Sequence, residues 1–260
     1  MRRCPRGSFL VLLLLVAVPQ TLSAQSSDSS PDFLFGRPGG MVGFRTGWLF
    51  ARADGDLFDE MRRQFTLERK DFNAPSIGAD VDVALTDRTS IVAGFEFTQA
   101  SKTSEYRDFV DNQRLPINQT TSVRELNLSG SFKFALTPRG REISSRAWIP
   151  AAATPYIGAG AGLLRYEFKQ TGDFIDVNTP DLEIFSDTLR STGWTPSAHA
   201  FGGVDIRVHR RLYVSAEGRY LWANTTPNCE DTRDGPVCSF AGLGLDLAGF
   251  KATAGIHYLF

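Results

Sequence analysis

The chain of 260 residues carries 28 basic and 29 acidic side chains, a net charge of −1, which gives no electrostatic basis for binding nucleic acid. It is 42% hydrophobic with a mean hydropathy of −0.17, and beyond Val18 no apolar run is long enough for a transmembrane helix. That composition excludes a helical membrane protein but not a transmembrane β-barrel, in which only alternate residues face lipid and mean hydropathy stays low.

The N-terminus reads as an export signal. Met1-Arg2-Arg3 precedes an apolar run from Phe9 to Val18, then Pro19 and the small-residue site Leu22-Ser23-Ala24. Cleavage is expected after Ala24, so residues 1–24 are a signal peptide. Gln25 rather than a cysteine follows the site, which argues against a lipid anchor. Residues 25–40, rich in Ser, Asp, Pro and Gly, read as a flexible periplasmic lead-in to a barrel over 41–260.

Period-two alternation then marks strands, one face apolar and the other polar. Residues 41–52 set Val42, Phe44, Trp48 and Phe50 against Gly43, Arg45 and Gly47; 76–85 set Ile77, Val81 and Val83 against Asp80 and Asp82. Residues 90–99 set Ile91, Phe95 and Phe97 against Gly94 and Glu96. Residues 124–136 set Leu126, Leu128, Phe132 and Phe134 against Glu125, Asn127 and Lys133. Segment 155–169 is ambiguous. With Arg165, Glu167 and Lys169 inward, Tyr156, Leu164, Tyr166 and Phe168 face lipid, and the two tyrosines lie about 23 Å apart along the normal at ~3.3 Å per residue and ~45° tilt, matching the apolar band. That phase is the expectation, with Ile157, Ala159, Ala161 and Leu163 outside as the alternative. Residues 197–208 set Ala198, Ala200, Val204 and Ile206 against His199, Asp205 and Arg207, and 212–223 set Val214, Ala216, Tyr220 and Trp222 against Ser215, Glu217 and Arg219. Each is long enough for the roughly 9–11 residues a tilted strand needs to cross hydrocarbon.

The chain ends flush on an eighth strand: Phe250, Ala252, Ala254, Ile256, Tyr258 and Phe260 alternate with Lys251, Thr253, Gly255, His257 and Leu259. A terminal aromatic with alternate apolar residues upstream resembles the bacterial outer-membrane β-barrel family, in particular its small OmpA/OmpW-like eight-stranded group. The resemblance covers roughly 41–260. It implies an all-β, eight-stranded antiparallel up-and-down transmembrane barrel. It also implies that Ile256, Tyr258 and Phe260 are the signal read by the barrel-assembly machinery.

Connections alternate in length. Those at 86–89 and 209–211 are tight, while 53–75, 103–120, 170–195 and 224–246 are long and polar, as periplasmic turns and extracellular loops are. The Arg-rich connection 137–153, on the short-turn side, is the exception. In the first long loop Leu57, Met61 and Phe65 recur at helical spacing behind Asp56, a candidate N-cap. Such a helix either packs its apolar face over the barrel mouth or presents a binding element.

The inward columns collect Asp80, Asp82, Glu96, Glu125, Asp205 and Glu217 against Arg45, Lys133, Arg207, Arg219 and Lys251, with His257 nearby. Eight strands enclose a lumen just wide enough for side chains, and buried charges need partners. The reading that follows is a self-neutralising plug; a narrow gated solute path through the same charges is the alternative. Cys229 and Cys238, the only cysteines after the signal, read as a disulfide in an oxidising compartment. His199, His257 and interior serines raise a lipid hydrolase, but no nucleophile motif accompanies them. A secreted lipocalin-like barrel is disfavoured by the outward aromatics. The expectation is a non-enzymatic outer-membrane barrel with a structural or surface-presenting role. It has no cofactor and no metal, is a monomer in outer-membrane lipid and lipopolysaccharide, and has both termini periplasmic.

Overall fold

A computed structural model describes residues 33–260 except 112, 145–146, 177–182, 228–229, 233–234 and 238–239. Eight antiparallel strands carry the alternating sequence. They are β1 (Gly40–Ala51), β2 (Ala74–Ala84), β3 (Thr89–Val110), β4 (Pro116–Ala135), β5 (Ala153–Asp176), β6 (Glu183–Arg207), β7 (Leu212–Trp222) and β8 (Gly249–Leu259). Each pairs with its neighbours in the chain, and β8 pairs with β1 from Gly249↔Ala51 to Leu259↔Met41, closing the barrel. The final residue locks the seam. Gly39 N donates to Phe260 O at 2.9 Å and Phe260 N to Gly40 O at 3.0 Å. Closure leaves no strand edge, which hydrocarbon would not tolerate.

The outward residues form an apolar band. Phe44, Trp48, Ile77, Val81, Phe95, Leu128, Phe132, Ile256 and Tyr258 are all exposed, while the alternate positions between them are buried or half-buried. No described helix is long and apolar enough to cross a membrane. The spanning structure is the sheet.

Three features differ from the sequence expectation. First, β3–β4 and β5–β6 continue far beyond the apolar band, through most of 103–120 and 170–195. Their ladders run on through pairs such as Thr103↔Thr120 and Thr171↔Thr188. Above the lipid neither face has to be continuously apolar, so the period-two signal fades although the hydrogen-bond ladder does not. Second, β5 takes the opposite phase: Ile157, Ala159, Ala161 and Leu163 are exposed, whereas Tyr156, Leu164, Tyr166 and Phe168 are buried inside. The glycines explain it. A Cβ at inward Gly158 would come 2.3 Å from the Phe201 ring, and one at Gly160 2.8 Å from His199 Nε2, so these positions make room for larger side chains of β6. Arg165, Glu167 and Lys169 are outward and sit where the strand leaves the lipid.

Third, the connection 137–153 is structured. Strands Gly140–Ser144 and Ala147–Pro150 form a hairpin, and Leu34–Phe35 adds to it through Leu34↔Trp148. Trp148 and Leu34 pack with Met41, Tyr213 and Leu259 across the short-turn mouth. The segment read as a flexible lead-in therefore contributes Leu34–Phe35 to this small sheet.

At the long-loop mouth helix α1 (Asp56–Gln64) buries Leu57, Phe58 and Met61. Its N-cap is Gly55, at φ 95°, rather than Asp56, whose carboxylate instead accepts from Gly244 N. The helix, Phe65, Leu67, Phe72, Phe240 and Leu245 form one apolar cluster with the inward-facing Val123, Leu164, Phe168 and Leu221 of the barrel. Phe58 meets Phe72 and Phe168 at 4.7 and 6.0 Å, and Phe168 meets Phe240 at 5.0 Å. The apolar face of α1 lies over the barrel mouth.

Candidate functional site: a lumen of crossed ion pairs

Between these two apolar clusters the lumen is charged. Arg45 on β1 reaches Asp80 on β2 through Nε and Glu217 on β7 through Nη1, both at 2.9 Å. Arg219 Nη2 shares the same Glu217 oxygen at 2.9 Å, and Tyr156 Oη donates to the other at 3.0 Å. His257 Nε2 lies 3.4 Å from Asp80. A second group gathers on Lys133 of β4. Its Nζ is 2.8 Å from Asp205 on β6 and 3.4 Å from Asp82 on β2, and it sits 3.9 Å above the Tyr156 ring, joining the two groups. Lys251 on β8 pairs with Glu96 on β3. Glu125 accepts from Thr98 Oγ1 at 3.3 Å. Arg207 lies half-buried near the short-turn end of β6.

Most of these pairs join strands that are not neighbours in the sheet, so the side chains cross the lumen rather than line its wall. Arg45, Asp80, Glu96, Lys133, Asp205, Glu217, Arg219 and Lys251 are buried, each below 10% exposure. At the short-turn end lies a pocket of about 20 Å³ beside Met41, Arg139, Trp148 and Tyr213, room for roughly one water.

Sequence reasoning missed two members. Arg139 comes from the irregular connection, where no period places it. Its Nη1 lies 3.5 Å from Asp82 and its Nη2 donates to Thr86 O at 3.0 Å, bringing a further base to the acidic column. Tyr156 was assigned to lipid by the wrong phase of β5. His199, buried, has Nε2 2.7 Å from Ser131 Oγ. Its Nδ1 has no hydrogen-bond partner, so no carboxylate completes a relay there. No group of His, Cys, Asp and Glu that could hold a metal occurs among the described residues. Cys229 and Cys238 lie outside the described residues.

A closed, up-and-down sheet of eight strands, greasy outside and polar inside, decides the architecture. The chain has the fold of the eight-stranded outer-membrane β-barrels. No protein-family model matches the sequence and no curated protein matches it. Among solved structures it is similar to Neisserial surface protein A, with 10% identity over 88% of this chain and 98% of the other at a TM-score of 0.48. It is also similar to the outer membrane protein OprG of Pseudomonas aeruginosa, at 12% identity over 87% and 99% with a TM-score of 0.46. The attachment invasion locus protein of Yersinia pestis gives 11%, 85% and 99%, and 0.39. These are likenesses of fold.

Proposed function

We propose that this protein is a non-enzymatic, closed barrel of the bacterial outer membrane that holds its lumen shut with ion pairs and presents the β3–β4 and β5–β6 hairpins outside the cell. The observation that carries the reading is the layering of the lumen. A crossed charge network lies between the apolar cluster under α1 and the Trp148 cluster at the opposite mouth. A hydrated ion must displace paired charges and pass two apolar constrictions, each unfavourable. The short turns and both ends of the closed sheet, at Gly40 and Leu259, belong to the periplasmic side in this reading, and the long hairpins to the exterior.

The site chemistry favours a plug over a solute path, because each acid in the central groups has a base or a hydroxyl within bonding distance. Liposome swelling tests it. Vesicles carrying the refolded protein should swell no faster in arabinose or glycine than empty vesicles do. Swelling that scales with protein content would overturn the closed lumen and favour a channel.

A further inference from the structure

The outward face of β3–β6 changes character in steps where it leaves the apolar band. Across the sheet, Phe95, Leu128, Leu163 and Pro196 form an apolar row. The next row is Phe97, Leu126, Arg165 and Trp194, followed by Gln99, Arg124, Glu167 and Thr192, then Ser101, Ser122, Lys169 and Arg190. Above these the row Thr103, Thr120, Thr171 and Thr188 is uncharged. Four bases therefore occupy three consecutive rows, directly on top of the lipid-facing rows, with a single acid among them.

Glu167 organises the group. It accepts from Arg190 Nη2 at 2.7 Å and its other oxygen lies 3.6 Å from Arg124 Nη1. One carboxylate cannot neutralise four cations, and both arginines stay about half exposed. The Arg165 guanidinium is held 5.9 Å from the Trp194 ring centre, and a groove runs between Phe97, Leu126, Arg124 and Arg165. Among the described residues the other half of the barrel has nothing similar. At the same edge β7, β8 and β1 present Trp222, Phe250, Trp48 and Phe50, and their one base, Arg52, is engaged by Asp54 and Asp246.

Bases at this height face the headgroup layer, where a phosphate is the anion on offer and a guanidinium can bind it through two parallel hydrogen bonds. We propose that Arg124, Arg165, Lys169 and Arg190, positioned by Glu167, form a binding site for the phosphate of an anionic lipid of the outer leaflet, whose acyl chains lie along Phe97, Leu126 and Leu163. The proposal takes from the preceding reading only the orientation of the barrel. It does not depend on whether the lumen is closed.

Native mass spectrometry of the full refolded chain in a non-ionic detergent tests it, because the readout needs neither orientation nor conductance. The probes are bis-phosphorylated lipid A, the same lipid with both phosphates removed, and inorganic phosphate as competitor. Wild-type protein should retain the phosphorylated lipid and lose most of the signal with the dephosphorylated one. The R124Q/R165Q/R190Q variant should bind the phosphorylated lipid about a hundredfold more weakly, at roughly a factor of five per base. Equal retention of the two lipids by the wild type overturns the proposal even if that variant does not fold. So does undiminished binding by a variant that folds, shown by retained heat-modifiable migration. Competition by inorganic phosphate at concentrations comparable to the lipid would assign the site to free phosphate and overturn the lipid.

Discussion

Arg45 and Glu217 lie 172 residues apart in the chain and 2.9 Å apart in the lumen. Strand β8 stands between their strands in the sheet, so the contact exists only because the barrel closes. The pair couples closure of the backbone to satisfaction of charge. An open sheet would leave Arg45 with Asp80 and Glu217 with Arg219, and would lose the bond that joins the two pairs.

Removing the shared carboxylate should therefore be expensive. Glu217→Ala leaves Arg45 with Asp80 alone and takes from Arg219 and Tyr156 their common partner. A broken buried pair typically costs about 3–5 kcal/mol. Urea unfolding in lipid vesicles, followed by tryptophan fluorescence, should show a loss of that order, and one below about 1 kcal/mol would mean water already screens the group.

The phase of β5 has a direct test. Single cysteines carrying a fluorophore at Leu163 and Ile157 should be quenched by brominated lipid, and those at Leu164 and Tyr156 should not. Likewise Ala159→Arg, outward and two rows deeper in the band than Leu163, should destabilise the folded barrel by about 2–4 kcal/mol. Quenching at Tyr156 and Leu164 instead would restore the other phase.

Much of the fold was legible because hydrocarbon imposes a strict rule. Where lipid meets a strand the residues alternate, and Phe95, Phe132, Ile256 and Phe260 announce it. The rule speaks only within the apolar band. It is silent on the Thr-rich continuation of β3–β6, on Arg139, and on the hairpin that carries Trp148. It misleads at β5, where Arg165, Glu167 and Lys169 read as lumen charges although they face outward above the apolar band, and the tyrosines face inward to serve Glu217 and the apolar cap. Which strands the charges belong to could be read from the sequence; which acid meets which base could not, because partners such as Lys133 and Asp205 are set by the diameter and stagger of the closed sheet.

The two mouths should each depend on one aromatic. Trp148→Ala empties the short-turn cluster and Phe168→Ala the cluster beneath α1, and truncation of a buried Trp or Phe costs about 3–5 kcal/mol. Both should lower the midpoint of thermal unfolding in detergent. The double variant should lose close to the sum, since the sites lie at opposite ends of the barrel and share no contact.

The first long loop carries its own pH response. The Gly55 backbone N–H, with the Arg69 and Arg52 guanidinium groups, holds the Asp54 carboxyl below the usual carboxylate range. A group with a lowered folded pKa stabilises the loop above its unfolded value, and that contribution is lost as pH falls through the folded one. Amide exchange across 52–69, corrected for intrinsic rate, should therefore accelerate in acid below the ordinary carboxylate range. Asp54→Asn should show the faster exchange already at neutral pH and little further change on acidification. An unaltered wild-type pattern in acid would remove Asp54 from this role.

Planar-bilayer recording of the full refolded protein tests the proposed closure of the lumen most directly. The crossed pairs of Arg45, Glu217, Lys133, Asp205, Lys251 and Glu96 between two apolar mouths predict no steady single-channel current in wild type. They predict discrete openings once Glu217→Ala is combined with Trp148→Ala and Phe168→Ala. Steady wild-type conductance, unchanged by those substitutions, would contradict it.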